Sequence, residues 1–475
     1  MSVIKLMLAQ NVGIQDFGIC LPSRYLPIEI LAEERNIEVA KLKLGLGLEQ
    51  MAVCDKSEDV PFMAAKAIED LVHAQLSNGL VENAHDFFSQ IDRIYLGTES
   101  AIDAAKPSIT YALDLLQKSF DCSFEHIDFL DMTFACIGGT DALHQCLDYV
   151  RLRPTRKCIV VAADKAIYDS NTGGEYTQGA GAVAFLVSNT PELMSFDGEV
   201  GVAVQHDFDF YKPKRYFSKE EIINSLFERL GMNKDAIPKD KIAELFNTDT
   251  ILKKGTLEGW AVDFWDLPGG FVPIQREEPV YDGQFSNSCF EQRVSKAFGD
   301  FLRKNNIEKL PEIAQWIFHL PYAFQGRRMA VRMWWEHVAR FESAVSEQVV
   351  SEFGNPEENN EETYLYWLKQ VAKSKEYKKF VSEQIAPTDA VSSKVGNLYT
   401  ASVFMALLSG VANSKTELLG KRGLFLAYGS GSKSKVFMGT YEKGAVSATI
   451  AKRIEGHLAQ RRSIDYKEYE NLRRK

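Results

Sequence analysis

No CxxC pair, no HExxH box and no apolar run long enough to span a bilayer occurs in these 475 residues. Each absence removes a class of function. The seven cysteines (20, 54, 122, 136, 146, 158 and 289) are odd in number and scattered, which argues against a zinc cluster or disulfide framework and for a reducing compartment. The eight histidines show no ligand spacing, so no metal is expected. Basic residues number 55 against 65 acidic ones, a net charge of −10, and without a basic excess to neutralise phosphates no general nucleic-acid binding is expected. The opening Met1-Ser-Val-Ile-Lys-Leu-Met lacks the charged region and cleavage site of a signal peptide, so a cytoplasmic chain with no membrane partner is expected. What remains is an ordinary globular composition, 45% hydrophobic and 25% charged, with length enough for two large domains or one duplicated domain.

One short stretch organises the rest. Ile127-Asp-Phe-Leu-Asp-Met-Thr-Phe134 reads as a strand, and from Thr140 to Val150 apolar side chains recur at helical spacing. Between them, Ala135-Cys136-Ile-Gly-Gly139 places a thiol where a strand hands over to a helix. There the helix dipole and free amides favour thiolate, and Gly138 and Gly139 leave room for an acyl group. The competing reading is a small buried hydrophobe, because free cysteines are among the most buried residues.

Further along, the sequence alternates strand and helix. Ile91-Asp-Arg-Ile-Tyr-Leu-Gly97 reads as a strand ending in Thr98-Glu99-Ser100, so Glu99 lies at the carboxyl end of a core strand, where ligands bind in layered α/β folds. A helix-start glutamate satisfied by amides is the alternative. Helices are expected over 29–39 and 59–71, and Lys41-Leu-Lys-Leu-Gly-Leu-Gly47 is a basic turn that either meets a phosphate or stays solvated. Lys157-Cys-Ile-Val-Val-Ala-Ala163 and Ala182-Val-Ala-Phe-Leu-Val187 have the continuous apolar character of strands covered on both faces.

The middle of the chain, 214–276, reads as an insertion with charged helical patches at 220–230 and 240–246 and an aromatic, glycine-bearing stretch at 260–270. After it come a helix over 285–301, the strand Ile313-Ala-Gln-Trp-Ile-Phe318, then His319 beside Pro321, and a basic helix with Arg327, Arg328 and Arg332. His319 is either a proton carrier or a satisfied structural group. The charged stretch 342–379 reads as helical and peripheral. Asn397-Leu-Tyr-Thr400 enters a small-residue helix over 401–408, an echo of the Cys136 arrangement. The chain then forms a hairpin over 423–441, whose Gly-Ser-Gly turn lacks the spacing of a phosphate loop, and a basic surface helix over 450–462.

Taken together, these segments resemble the hydroxymethylglutaryl-coenzyme A synthase family, a branch of the thiolase superfamily. The resemblance is carried by Leu44-Gly-Leu-Gly47, Gly97-Thr-Glu99-Ser, Ala135-Cys-Ile-Gly-Gly-Thr140, Ala163-Asp-Lys-Ala-Ile-Tyr168, Thr177-Gln-Gly-Ala-Gly-Ala-Val183 and Asp209-Phe-Tyr-Lys-Pro213. It continues through Val280-Tyr-Asp-Gly-Gln-Phe-Ser286, Ile317-Phe-His319-Leu-Pro-Tyr322, Val395-Gly-Asn397-Leu-Tyr-Thr400 and Tyr428-Gly-Ser-Gly431. The matches fall in the family's order and leave out mainly 214–276.

The implied fold is α/β, with two similar βαβαβαββ halves in a layered αβαβα arrangement and an inserted segment. That divides the chain into a half over 1–200, a connecting segment over 201–277, a second half over 278–445 and a helical tail over 446–475. The implied chemistry is condensation of acetyl-coenzyme A with a β-ketoacyl thioester, needing no cofactor. In it Cys136 is acetylated, Glu99 is the general base and His319 polarises the acceptor carbonyl. The backbone of Cys136 and Ser430 matches the oxyanion hole, Asn397 a contact to the second substrate, and Tyr168, Thr177 and Asp209 the site walls. A homodimer is also implied.

Two departures from the family stand out. Lysines that hold coenzyme A phosphates are replaced after His319 by Tyr322-Ala-Phe-Gln-Gly-Arg-Arg328, leaving Lys41, Arg327 and Arg328 as candidates, although a forked guanidinium and a compact ammonium bind phosphate differently. The insertion beside Asp209 is the other. They keep open a synthase that adds an acetyl-derived branch to a β-ketoacyl chain on an acyl carrier protein. A decarboxylative ketoacyl synthase needs no glutamate at position 99, and a catalytically quiet assembly partner needs none of the three reactive side chains.

Overall fold

The computed structural model describes residues 11–233, 238, 240 and 271–473. Its core follows from the two continuous apolar strands. Lys157–Lys165 and Ala180–Ser188 pair antiparallel, and their alternate residues face two separate cores. Val160, Ala162, Val183 and Phe185 belong to one, and Ile159, Val161, Ala184 and Leu186 to the other. A strand buried on both faces needs no polar alternation, which is why these segments read as unbroken apolar runs.

The main strands are β1 (Gly13–Cys20), β2 (Arg24–Pro27), β3 (Gln50–Val53), β4 (Ile91–Gly97), β5 (Asp128–Met132), β6 (Lys157–Lys165), β7 (Ala180–Ser188), β8 (Met194–Phe196), β9 (Gly201–Val204), β10 (Lys214–Ser218), β11 (Phe271–Gln275), β12 (Ile313–Phe318), β13 (Arg422–Gly429), β14 (Lys433–Tyr441) and β15 (Arg462–Ser463). Ten of them form one sheet in the order β12-β13-β14-β8-β1-β7-β6-β4-β5, with β9 on β14. β4 runs parallel to β5 and β6, and β12 parallel to β13, while β1–β7 and β13–β14 are antiparallel. The first and last strand groups are thus two related half-sheets, joined through β8 in a mixed α/β fold.

Helices α1 (Ile28–Glu34), α2 (Val60–Ser77), α3 (Ala84–Ser89), α4 (Ile109–Phe120) and α5 (Gly138–Leu152) belong to the first half. α2 starts where Asp59 accepts the Phe62 amide at 2.8 Å, an N-cap that satisfies an otherwise orphaned donor. α1 is shorter than the expected 29–39 because Asn36 takes a left-handed φ of 52°, which ends a right-handed helix. The basic turn that follows is a single π-helical turn, Lys41–Leu46.

The second half holds α7 (Gly283–Lys304), α8 (Gln325–His337), α9 (Ser343–Phe353), α10 (Glu361–Val371), α11 (Lys375–Phe380) and α12 (Ser402–Ala412), with α6 (Lys219–Leu230) before them in the chain and α13 (Ser447–Ala459) and α14 (Tyr466–Arg473) in the tail after them. The charged stretch expected to be peripheral is not: Tyr364, Trp367, Leu368, Tyr377 and Phe380 are buried in the main core. Their helical spacing buries one face while the charges occupy the other. β2, β3 and β15 form a separate three-stranded sheet, whose small core joins Leu26, Leu31, Ile464 and Tyr469.

The chain divides into two compact units, Met1–Phe210 with Tyr281–Lys475, and Tyr211–Val280. Within the second, β10 and β11 pair antiparallel from Lys214↔Gln275 to Ser218↔Phe271. Ser218 caps α6 in a reciprocal box, its hydroxyl accepting the Glu221 amide at 3.0 Å and its amide donating to Glu221 at 2.9 Å. The patches expected over 240–246 and 260–270 lie outside the described residues, position 240 apart.

Candidate active site

Segments far apart in sequence meet at one carboxylate. Asp164, at the end of β6, is wholly buried. Its Oδ1 accepts the Thr98 hydroxyl and the Glu99 amide, both at 2.9 Å, just beyond β4. Its Oδ2 accepts the Thr400 amide at 2.9 Å and the Thr400 hydroxyl at 2.5 Å, just before α12. Burial pushes the Asp164 carboxyl up from its ordinary value, against the lowering effect of the Thr400 and Glu99 donors. The backbone of Glu99 and, from the other half of the molecule, the residue just before α12 are therefore tied to the same carboxylate.

Cys136 is placed by a strained turn. β5 stops at Met132, Ala135 adopts φ 40°, and α5 begins at Gly138. A left-handed backbone costs a residue with a Cβ on the order of 1–2 kcal/mol, so the turn persists only because both flanking elements hold it. It leaves Cys136, 7% exposed, at the positive end of α5. The Cys136 Sγ stands 3.9 Å from Glu99 Oε2. The same backbone device recurs in the other half: Tyr399, at φ 44°, lies three residues before α12, as Ala135 lies three before α5. Thr400 is thus the backbone counterpart of Cys136.

His319 arrives from a third direction, off the end of β12. Its amide donates to the Leu426 carbonyl at 3.0 Å, and the next residue is clasped by Ser402, whose hydroxyl accepts the Leu320 amide at 2.8 Å. His319 is 2% exposed, and burial drives its pKa down to about 3, so the imidazole is neutral near pH 7. Its Nδ1 finds no hydrogen-bond partner among the described residues.

Cys136 and His319 line one cavity of about 530 Å³, together with Tyr168, Thr177, Asn397, Ser430 and Arg328. Asn397 Oδ1 accepts the Tyr399 amide at 2.9 Å, and the Asn397 amide donates to the Thr177 carbonyl at 2.9 Å. Tyr168 packs edge-on against Tyr281, Phe210 and Tyr399, with ring centroids 5.2, 6.3 and 6.3 Å away, forming an aromatic box beside the sulfur. Asp209 sits behind the wall: it accepts the Tyr428 hydroxyl and the Gly431 amide, both at 2.8 Å, and so braces the turn that carries Ser430.

Two expected phosphate contacts are not assembled here. Arg327 is turned away and gripped by the buried Asp389 through a fork of bonds, Nε–Oδ2 at 2.5 Å and Nη2–Oδ1 at 2.8 Å. A guanidinium committed to a desolvated carboxylate is not available to a ligand. Lys41 is exposed and does not line the cavity. Arg328 does, with Nη2 donating to the Gly45 carbonyl at 2.6 Å. Among the described residues it is the one lysine or arginine on the cavity wall. Conversely, Asp164, Tyr281, Tyr399 and Tyr428 belong to the site although none was singled out as a candidate, and each lies inside a segment that carried the resemblance. Their signal was position within the motif rather than reactivity.

The family model for the hydroxymethylglutaryl-coenzyme A synthase N terminal matches residues 8–191, and that for the C terminal matches residues 254–475. A hydroxymethylglutaryl-CoA synthase of Haloferax volcanii is 26% identical over 464 residues, covering 95% of this chain and 86% of that protein. A cytoplasmic human one is 24% identical over 470 residues, covering 96% and 76%. Among solved structures, MvaS in complex with 3-hydroxy-3-methylglutaryl coenzyme A superposes with a TM-score of 0.71 at 26% identity, covering 98% and 92% of the two chains. The HMG synthase of the curacin biosynthetic pathway, in complex with acetyl donor-ACP, shares the fold with a TM-score of 0.68 at 20% identity, covering 98% and 88%.

Proposed function

The chain belongs to the hydroxymethylglutaryl-coenzyme A synthase family, and from that premise we propose that Cys136, Glu99 and His319 carry its condensation. It is an acyltransferase-type condensing enzyme that joins an acetyl thioester to a β-ketoacyl thioester. The observation that carries the residue roles is the 3.9 Å approach of Glu99 Oε2 to Cys136 Sγ, the sulfur belonging to a residue that lines one cavity with His319.

The steps follow from that placement. The Cys136 sulfur attacks the acetyl carbonyl, the new carbon–sulfur bond replaces the old one, and the departing thiol carries away the proton that Cys136 loses. Glu99 then takes a proton from the acetyl methyl group, and the carbanion adds to the ketone carbon of the acceptor. Neutral His319 donates a hydrogen bond to that ketone oxygen, which takes up the proton from Glu99 as the alkoxide forms. Water finally cleaves the thioester to Cys136 and restores the thiol. Asn397, Tyr168 and Thr177 shape the acceptor side, and backbone donors at Cys136 and Ser430 face the developing oxyanion. No cofactor or metal enters any step.

A second donor is favoured by one observation. With Arg327 bound to Asp389 and Lys41 outside the cavity, Arg328 remains to meet a phosphate. A pantetheine arm delivered by an acyl carrier protein asks for fewer such contacts than coenzyme A. For the assembly, β5 ends the ten-stranded sheet among the described residues, and the edge it offers there suits pairing with a second copy in a homodimer. Disulfides join none of the described cysteines, which suits a reducing cytoplasm.

The test is intact-mass measurement after incubation with acetyl-coenzyme A and, separately, an acetylated carrier protein. A single acetyl adduct is expected, absent in Cys136→Ala, and Glu99→Ala should acetylate yet not condense. No adduct from either donor overturns the reading, and a Glu99→Ala enzyme that condenses normally removes Glu99 as base.

A further inference from the structure

The wall of the cavity formed by 168–178 is tied down from outside by the last described helix of the chain. Tyr168 lies over Cys136 in the aromatic box, and both of its peptide groups are held. Its amide donates to Gln178 Oε1 at 2.7 Å, and its carbonyl accepts Arg473 Nη2 at 2.7 Å. Arg473, on α14, is 305 positions away. Its other nitrogen, Nη1, donates to Glu175 Oε1 at 2.6 Å, so one planar guanidinium spans the first and later parts of the same loop.

Glu175 is the anchor of this arrangement. It is 1% exposed and also takes a fork from Arg35, Nε–Oε2 and Nη2–Oε1, both at 2.8 Å, and the Asn171 amide at 2.7 Å. Burial alone would raise its pKa, but the bonds from Arg35 and Asn171 and the Arg473 charge outweigh it and hold the carboxyl below its ordinary value. Charge pairs this well satisfied fix geometry more than they add stability. The apolar core of this lobe is made independently, by Leu26, Leu31, Ile464 and Tyr469.

We infer that Arg473 is a positioning residue for the acyl pocket: through the Tyr168 carbonyl and Glu175 it sets the aromatic wall over Cys136, and so governs how the second substrate seats against the acylated cysteine. Removing its guanidinium leaves Glu175 still paired with Arg35 and leaves the lobe's apolar core intact, so the loop moves while the fold stands. The inference rests on Cys136 being the acylated residue, as proposed above.

The experiment compares Arg473→Ala and Arg473→Lys with the parent enzyme in three measurements: thermal unfolding, KM and kcat for condensation, and the ratio of Cys136 alkylation rates by bulky N-ethylmaleimide and small iodoacetamide. In Arg473→Ala the KM for the β-ketoacyl thioester should rise about tenfold and the maleimide-to-iodoacetamide ratio should shift about fivefold, as expected for a wall displaced by an ångström or so. The midpoint of unfolding should move little, and Arg473→Lys should recover part of both effects. An Arg473→Ala enzyme that matches the parent in KM and in alkylation ratio overturns the inference. So does a loss of activity explained by the unfolded fraction alone. If Arg473→Ala does not fold, the same two readouts on Arg473→Lys decide. A parent enzyme that alkylates at Cys136 but neither acetylates nor condenses overturns the proposed function instead, and the alkylation ratio still judges Arg473.

Discussion

Asp164 and Thr400 lie 236 positions apart, yet a single carboxylate oxygen of the first accepts both the amide and the hydroxyl of the second. The other oxygen holds the Glu99 amide. Glu99 and the buried helix of the opposite half are therefore referenced to the same group.

Asp164→Asn should show it. An amide offers one acceptor oxygen and turns its NH₂ toward donors, leaving a buried N–H unsatisfied at a cost of about 1–3 kcal/mol in urea unfolding. Condensation should fall about a hundredfold, because Glu99 shifts relative to Cys136. Unimpaired turnover in this variant would show that the carboxylate does not position Glu99.

Adjacent arginines should behave differently. Arg327→Ala strands Asp389, a buried carboxyl whose pKa burial already raises to about 6 despite the Arg327 pairing, and stability should drop by about 3 kcal/mol. Arg328→Ala should change stability by less than about 0.5 kcal/mol while raising KM for a coenzyme A donor. Urea midpoints and donor titrations on the two variants separate the roles.

His319 sets a pH dependence whose sign is fixed by its burial. Its folded pKa, down to about 3, lies below the unfolded value of about 6.5. Below pH ~6.5 the unfolded chain takes up a proton that the folded one refuses, so this contribution to stability is complete above that pH and is lost as the pH falls toward 3, by about 1.4 kcal/mol per pH unit. His319→Gln should flatten the profile of unfolding free energy against pH by that slope between pH 6 and 4. An unchanged slope would mean that the imidazole is protonated in the folded enzyme.

Gly97 and Gly299 should respond to alanine in opposite directions. A Cβ at Gly97 would lie 2.1 Å from the Gly139 amide nitrogen, forcing β4 away from the start of α5. About 1–3 kcal/mol should be lost, along with activity. A Cβ at Gly299, inside α7, meets nothing within 4 Å, and the gain in helix propensity should be about 0.5–1 kcal/mol. Thermal unfolding of the two variants makes the comparison.

The elements were legible in the sequence where one physical signal dominated. The unbroken apolar runs of β6 and β7, the small-residue turn before α5 and the strand ending at Gly97 all follow from burial and sterics, and they place Cys136 and Glu99 at strand ends. What the sequence could not show is which distant partners close on those ends. Arg327 reads as a free cation until Asp389, 62 positions on, is folded against it. The helix bearing Arg473 lies in the tail beyond the basic helix over 450–462, and nothing in its sequence marks the contact, because a hydrogen bond to a backbone carbonyl leaves no trace in composition. The stretch 342–379 misled for a related reason: its charges outnumber its buried aromatics, and only their spacing reveals the inward face.

The left-handed turn that occurs once before Cys136 and again before Thr400 has a consequence for how the protein can be rearranged. The two halves share a main-chain plan but have divided its uses: one copy presents a sulfur to the cavity, and the other clasps a buried carboxyl group in the dry interior. A thiol engineered at position 400 would face the Asp164 carboxylate, which disfavours thiolate, so the duplicated site cannot be made active by exchange of one side chain. Circular permutants or chimaeras that swap halves with a relative would have to move Asp164 and Thr400 as a pair.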